Sequence, residues 1–188
     1  MDQHQLTIVI AVIAAVVVVA AISFLLARKR RSQKLRERFG PEYDRVLKKE
    51  GGVRSAEGVL EMRAKRREEF SLRPLSESSR LDFAGRWKTV QSQFVDEPKG
   101  AVAQADALVN ELMAARGYPM ADFEQRAADI SVDHPLVVEN YRAAHAIALR
   151  HDSGQASTQD LRKAMVHYRT LFEELLGAEA ERKEERRA

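Results

Sequence analysis

Apolar positions along this chain follow two regimes. From Leu6 to Ala27 they run without interruption: 22 residues carry no charged side chain, and Thr7 and Ser23 are the only polar ones. After that they recur at three- and four-residue steps between charged residues. Nothing alternates with period two for long enough to form a strand. The pattern predicts an all-α protein with one N-terminal transmembrane helix, a basic helical stalk and a compact bundle of about five helices. The expected segments are a short external N-terminus (1–5), the transmembrane helix (6–27), the stalk (28–75), the bundle (76–177) and a charged tail, frayed or disordered (178–188).

A helix of 22 residues at about 1.5 Å per residue is roughly 33 Å long, against a hydrocarbon core of about 30 Å. The preceding Met-Asp-Gln-His-Gln has no Lys or Arg, which speaks against a cleaved signal peptide. Arg28-Lys29-Arg30-Arg31 follows the apolar run at once. Positive flanks stay on the cytoplasmic side, so this order predicts an outward N-terminus and a cytoplasmic remainder.

Beyond the apolar run, Gly40-Pro41 ends the first helix and Pro41 suits the first turn of the next. Gly51-Gly52 closes that one. Ser55 is the expected cap of a third, whose body EMRAKRREEF reads as a solvated face with a thin stripe at Val59, Met62, Arg66 and Phe70. In the bundle, Leu81, Ala84, Trp87, Val90 and Phe94 make one stripe. Val102, Ala105, Leu108, Val109, Leu112 and Met113 make a second, with Gly117 at its end. Phe123, Ala127 and Ile130 follow a cap at Asp122. Asp133-His134-Pro135 starts the next helix, with Val137, Tyr141, Ala144, Ala148 and Leu149 inward. Ser157 or Thr158 caps the last helix, whose stripe is Leu161, Met165, Tyr168, Phe172 and Leu175, and Gly177 closes it. The aromatic members of these stripes read as core before they read as a ligand box.

Charge is unevenly divided. Residues 28–75 hold 16 basic and 8 acidic residues, a net +8, whereas residues 76–177 hold 11 and 15, a net −4. The basic pI belongs to the stalk, and an acidic bundle argues against nucleic acid as its ligand. Arg28, Lys29, Arg30, Arg31, Lys34, Arg36 and Arg38 are the candidate membrane-surface contacts, each worth about 1 kcal/mol beside anionic headgroups.

Several segments taken together resemble a known group. They are Arg38-Phe39-Gly40-Pro41-Glu42-Tyr43-Asp44, Phe94-Val95-Asp96, Asp122-Phe123-Glu124-Gln125-Arg126-Ala127-Ala128-Asp129, and Asp133-His134-Pro135 with Tyr141-Arg142-Ala143-Ala144-His145. They are similar to an uncharacterised group of bacterial single-pass membrane proteins with a cytoplasmic helical domain. The resemblance spans most of residues 35–176. It implies a bacterial plasma-membrane protein of the same layout and brings no activity, cofactor or catalytic residue.

Reactive chemistry finds little footing. There is no Cys, and no two of His4, His134, His145, His151 and His167 stand four residues apart as a helical metal pair requires. Neither a G-x-S-x-G turn nor a phosphate-binding glycine loop occurs. No catalytic, cofactor-binding or metal-binding residue is therefore assigned. The densest polar stretch lies between Asp122 and His145. There Arg126, Asp129, His134, Arg142 and His145 form a candidate partner surface, weighed against a purely structural role in capping and pairing. The reading is a membrane-anchored scaffold or adaptor that contacts anionic lipid headgroups and an unidentified protein, without cofactor or nucleic acid. The alternatives are an enzyme whose site only the fold assembles, and a membrane-proximal nucleic-acid-binding regulator.

Overall fold

The computed structural model describes residues 3–185, with side-chain environments for residues 13, 15–151 and 153–177. These residues form eight helices: α1 (Gln3–Phe39), α2 (Pro41–Glu50), α3 (Val53–Glu68), α4 (Glu77–Gln93), α5 (Pro98–Arg116), α6 (Phe123–Asp133), α7 (Val138–Asp152) and α8 (Thr158–Glu185). No strand occurs among the described residues. The last three residues of the expected tail, 186–188, lie outside them, and the backbone is helical up to Glu185. Gly177 therefore does not close α8.

The expected transmembrane helix over 6–27 is corrected. Among the described residues no helix is long and apolar enough to cross a membrane. Residues 6–12 and Ala14 of the expected span are not among those whose side chains are described. The described apolar part runs from Ile13 to Ala27. It then passes without a break into the charged half of α1.

Two hydrophobic cores organise the molecule. The larger one joins α4, α5, α6, α7 and α8. All six residues of the expected α5 stripe are buried, as are Leu161, Met165, Tyr168, Phe172 and Leu175 of α8. Trp87 stacks on Phe172 with ring centroids 4.6 Å apart. The α4 stripe is rotated from the expected one. Phe83, Trp87 and Val90 face inward, while Leu81 is 64% exposed. The linker between α3 and α4 belongs to this core too, through Phe70, Leu72 and Leu75.

The smaller core contains Leu35 and Phe39 of α1, Tyr43 and Val46 of α2, Ala56, Leu60 and Ala64 of α3, and Val132 of α6. So α3 is a core element, contrary to its reading as a solvated helix. Its buried apolar residues, Ala56, Leu60 and Ala64, recur every four positions, and the two alanines let the backbones approach closely. The larger Met62 points to solvent at 65% exposure.

The glycines at the breaks carry the chain through positive φ. Gly51 (φ 69°) caps α2, and its N–H donates to the Leu47 carbonyl. Gly117 (φ 92°) caps α5. A side chain at Gly117 would place Cβ 2.6 Å from the backbone oxygen of Ser71, so this residue also lets the linker lie against the end of α5. Arg73 clips the linker down, its backbone N–H donating to the Arg116 carbonyl and its Nε to that of Ala115.

Candidate functional site

The two cores meet along a seam made mostly of charge. The buried face of α3 is apolar apart from Glu57, which accepts from the Tyr43 hydroxyl at 3.1 Å, and Arg63, Arg66 and Arg67, at three- and four-residue spacing, share the flank turned to α6. There Asp129 and Asp133, one turn apart, receive two of them. Arg66 Nε donates to Asp129 Oδ1 at 3.0 Å, and Arg67 pairs with Asp133. Gln125 Nε2 reaches the same Asp129 oxygen at 2.7 Å, and the Tyr118 hydroxyl donates to Asp133 at 3.0 Å. The other Asp129 oxygen is buried without a hydrogen bond among the described residues.

Glu42 is the centre of the seam. It is fully buried, one residue after Pro41 in the first turn of α2, where the helix dipole favours a carboxylate. Its Oε1 accepts from Arg63 Nη1 at 2.7 Å and from Arg142 Nη2 at 2.9 Å, and its Oε2 from Arg142 Nη1 at 2.7 Å. Arg142 thus holds Glu42 with both terminal nitrogens, the fork geometry that makes such pairs strong. The arrangement is extended on both sides. Arg63 also donates to Ser131 Oγ at 3.2 Å, and Arg142 to Glu139 at 2.9 Å, which in turn meets Arg45 at 3.4 Å. One carboxylate on α2 therefore joins α3 to α7. With three donors on its two oxygens, Glu42 is built to hold helices together rather than to accept a proton from a substrate.

A second polar chain runs through the larger core. Arg126 Nε donates to the Tyr141 hydroxyl, which donates to Asn110 Oδ1 at 3.0 Å. Asn110 Nδ2 donates to Asp106 Oδ2, and the Tyr168 hydroxyl donates to Asp106 Oδ1 at 2.8 Å. Burial, then the Asp106 charge, holds the Tyr168 phenol far above its ordinary pKa. Burial, then Asp133, does the same to Tyr118. Burial raises that of Tyr141.

The residues expected to form a partner surface are thus distributed over several contacts. Asp129 and Arg142 lie in the seam. Arg126 reaches Tyr141 and the Ala121 carbonyl, the latter at 2.5 Å. His134 is 3% exposed, with Nδ1 2.9 Å from Glu174 of α8. His145 stacks on Phe123 with centroids 3.6 Å apart. Asp133 ends α6 and pairs with α3. It does not cap α7, which starts at Val138 behind a Val137 with no side-chain cap. The candidate lipid contacts Arg28, Lys29, Arg30, Arg31, Lys34, Arg36 and Arg38 are all exposed. Arg31 pairs with Glu61, and Arg36 lies 4.5 Å above the Tyr43 ring and 3.6 Å from Asp44.

Sequence reading missed Glu42, Arg63 and Ser131. The available signal was complementary spacing: cations at 63, 66 and 67 against carboxylates at 129 and 133. No group of His, Cys, Asp or Glu suited to a metal ion occurs among the described residues. Among the described residues, shallow grooves open on the surface in at least two places. One, of about 260 Å³, lies between α4 and α5, floored by Val90 and Leu108 and edged by Arg86 and Glu111. Another, of about 380 Å³, lies between α1 and α3. The chain matches no protein-family model, and no curated protein or solved structure matches it either.

Proposed function

We propose that the protein is a helical adaptor, held at an anionic lipid surface by α1 and offering its α4–α8 bundle to a protein partner. One observation carries the reading: α1 is a single helix whose described apolar side chains before Arg28 stay outside both cores, while its C-terminal end, through Leu35 and Phe39, is built into one. From Val16 to Leu26 the large apolar side chains are 52–67% exposed and point in every direction around the axis. A helix that is apolar all round needs a cover, and an exposed apolar surface of this kind is a mark of attachment. The next turns present exposed Arg28, Lys29, Arg30 and Lys34. Anionic lipid supplies both complements at once, apolar chains for the first segment and negative headgroups for the second. The acidic bundle is kept clear of such a surface and left to other contacts.

The test is flotation of the full chain with vesicles of phosphatidylglycerol and phosphatidylcholine, and with phosphatidylcholine alone. Flotation with the anionic vesicles, weakening as ionic strength shortens the screening length to about 8 Å, is the expected result. A chain that floats with neither kind of vesicle overturns the lipid half of the reading. Crosslinking from native membranes tests the other half. Failure of the folded bundle to recover any protein above background counts against a partner.

A further inference from the structure

The groove between α1 and α3 lies where the apolar half of α1 gives way to the charged half. It is lined by Ala27, Arg30, Arg31, Lys34 and Leu35 of α1 and by Glu61 of α3. On α1 these positions fall at three- and four-residue steps and so share one face. Leu35 is 8% exposed and forms the floor toward the smaller core. Arg31 is held by Glu61, which fixes it against the α3 wall. Arg30 and Lys34 form no ion pair among the described residues and are exposed at the rim. Three cations thus face one carboxylate, and one of the three is already oriented.

We infer that this groove is a binding site for the phosphodiester headgroup of an anionic phospholipid, a reading that rests on the lipid attachment proposed above. Arg31 offers a forked pair of N–H donors to the phosphate oxygens while Arg30 and Lys34 close on it from the rim. Ala27 leaves the upper edge open and apolar, so the acyl chains leave the groove along the exposed apolar half of α1. A free phosphate would use the same three cations but would have no use for that edge. The occupant proposed here is the lipid.

The test compares charge removed inside the groove with charge removed beside it. R30Q/K34Q takes two cations from the groove. R28Q/R38Q takes two from the same helix outside it, one of them nearer the apolar half. Each full-length variant is first checked for helix content and melting temperature. Binding to phosphatidylglycerol vesicles is then measured, and co-purifying phospholipid is counted by mass spectrometry. The groove variant is expected to bind at least about tenfold more weakly than the control variant, beyond the roughly fivefold that each surface cation contributes by position alone. It should also lose co-purifying phospholipid. Equal losses in the two variants overturn the groove and leave diffuse attraction, with the lipid attachment intact. If neither variant nor the parent chain binds vesicles, the attachment itself has failed. Millimolar inorganic phosphate is the last arm. If it displaces the chain from vesicles without any rise in screening, the site takes free phosphate and the lipid assignment is wrong.

Discussion

Glu42 shows how much one side chain can hold. Removing a partner from a buried ion pair leaves an uncompensated charge, which costs more than the pair contributes by existing. Glu42→Gln strands Arg63 and Arg142 against an amide whose NH2 faces their own donors. We expect a loss of about 3 kcal/mol, read as a fall in the urea midpoint at unchanged slope. An unchanged midpoint would mean that water reaches the seam. The buried phenols make a second residue-scale case. Tyr118 and Tyr168 hold their protons far above the ordinary value of 10.0. A raised folded pKa gives stability that is complete below pH 10 and lost as pH rises above it, because only the unfolded chain ionises there. Absorbance near 295 nm should therefore show these phenols ionising together with alkaline unfolding. A simple titration near pH 10 in the folded protein would contradict their burial. Neither feature could be read in the sequence, since Glu42 looks like a first-turn dipole residue until Arg142 arrives from 100 positions away.

At the scale of the element, stripes of large residues were legible and those of small ones were not. The α5 and α8 faces are crowded with Leu, Met, Val and aromatics, and periodicity alone locates them. In α3 two of the four buried residues are Ala, which periodicity counts weakly, and a third is Glu57, so the more conspicuous but exposed Met62 misdirects the reading. Caps divide in the same way. Asp122 accepts from the Gln125 N–H at 3.0 Å, as its place before Phe123 suggests. Asp133 has the same local look but serves Arg67 and Tyr118. Asp122→Ala should cost about 1 kcal/mol, the usual worth of an N-cap. Asp133→Ala should cost more, because it frees a half-buried guanidinium as well. Equal melting temperatures for the two would return Asp133 to the role of a cap. At the start of α8, Ser157 and Asp160 cap each other, and the two Ser157 hydrogen bonds hold the Asp160 carboxyl below its ordinary range. That contribution is present above pH 3.8 and fades as pH falls through the lowered value.

At the scale of the molecule, the helical class and the five-helix bundle were legible, and the union of stalk and bundle was not. Periodicity describes each helix alone, and the helical spacing of the charges at 63, 66 and 67 and at 129 and 133 does not say that the two sets meet. The linker adds to that union. Phe70, Leu72 and Leu75 pack against the larger core although they precede α4. A fragment of residues 69–177 should therefore melt at a higher temperature than one of residues 76–177, with both transitions cooperative by circular dichroism. Identical melts would show that the linker rests on the bundle without stabilising it.

The unbroken run of α1 from its exposed apolar half into the smaller core also makes it a shaft. Arg28 and Phe39 are about 17 Å apart along it, at about 1.5 Å per residue, and no hinge lies between them. Whatever grips the outer half therefore fixes the angular setting of the whole body as well as its height. One residue inserted after Lys29 would turn the bundle by about 100° relative to the gripped end while raising it by only about 1.5 Å. Seven residues would raise it by about 10 Å and bring it back to within about 20° of its starting azimuth. A spin label at Ser92, read by its relaxation from vesicle-bound paramagnetic lipid, should change sharply with the single insertion and follow only the added height with the seven. If the label responds to neither, the shaft is uncoupled from the body, and α1 acts as a tether rather than an axle.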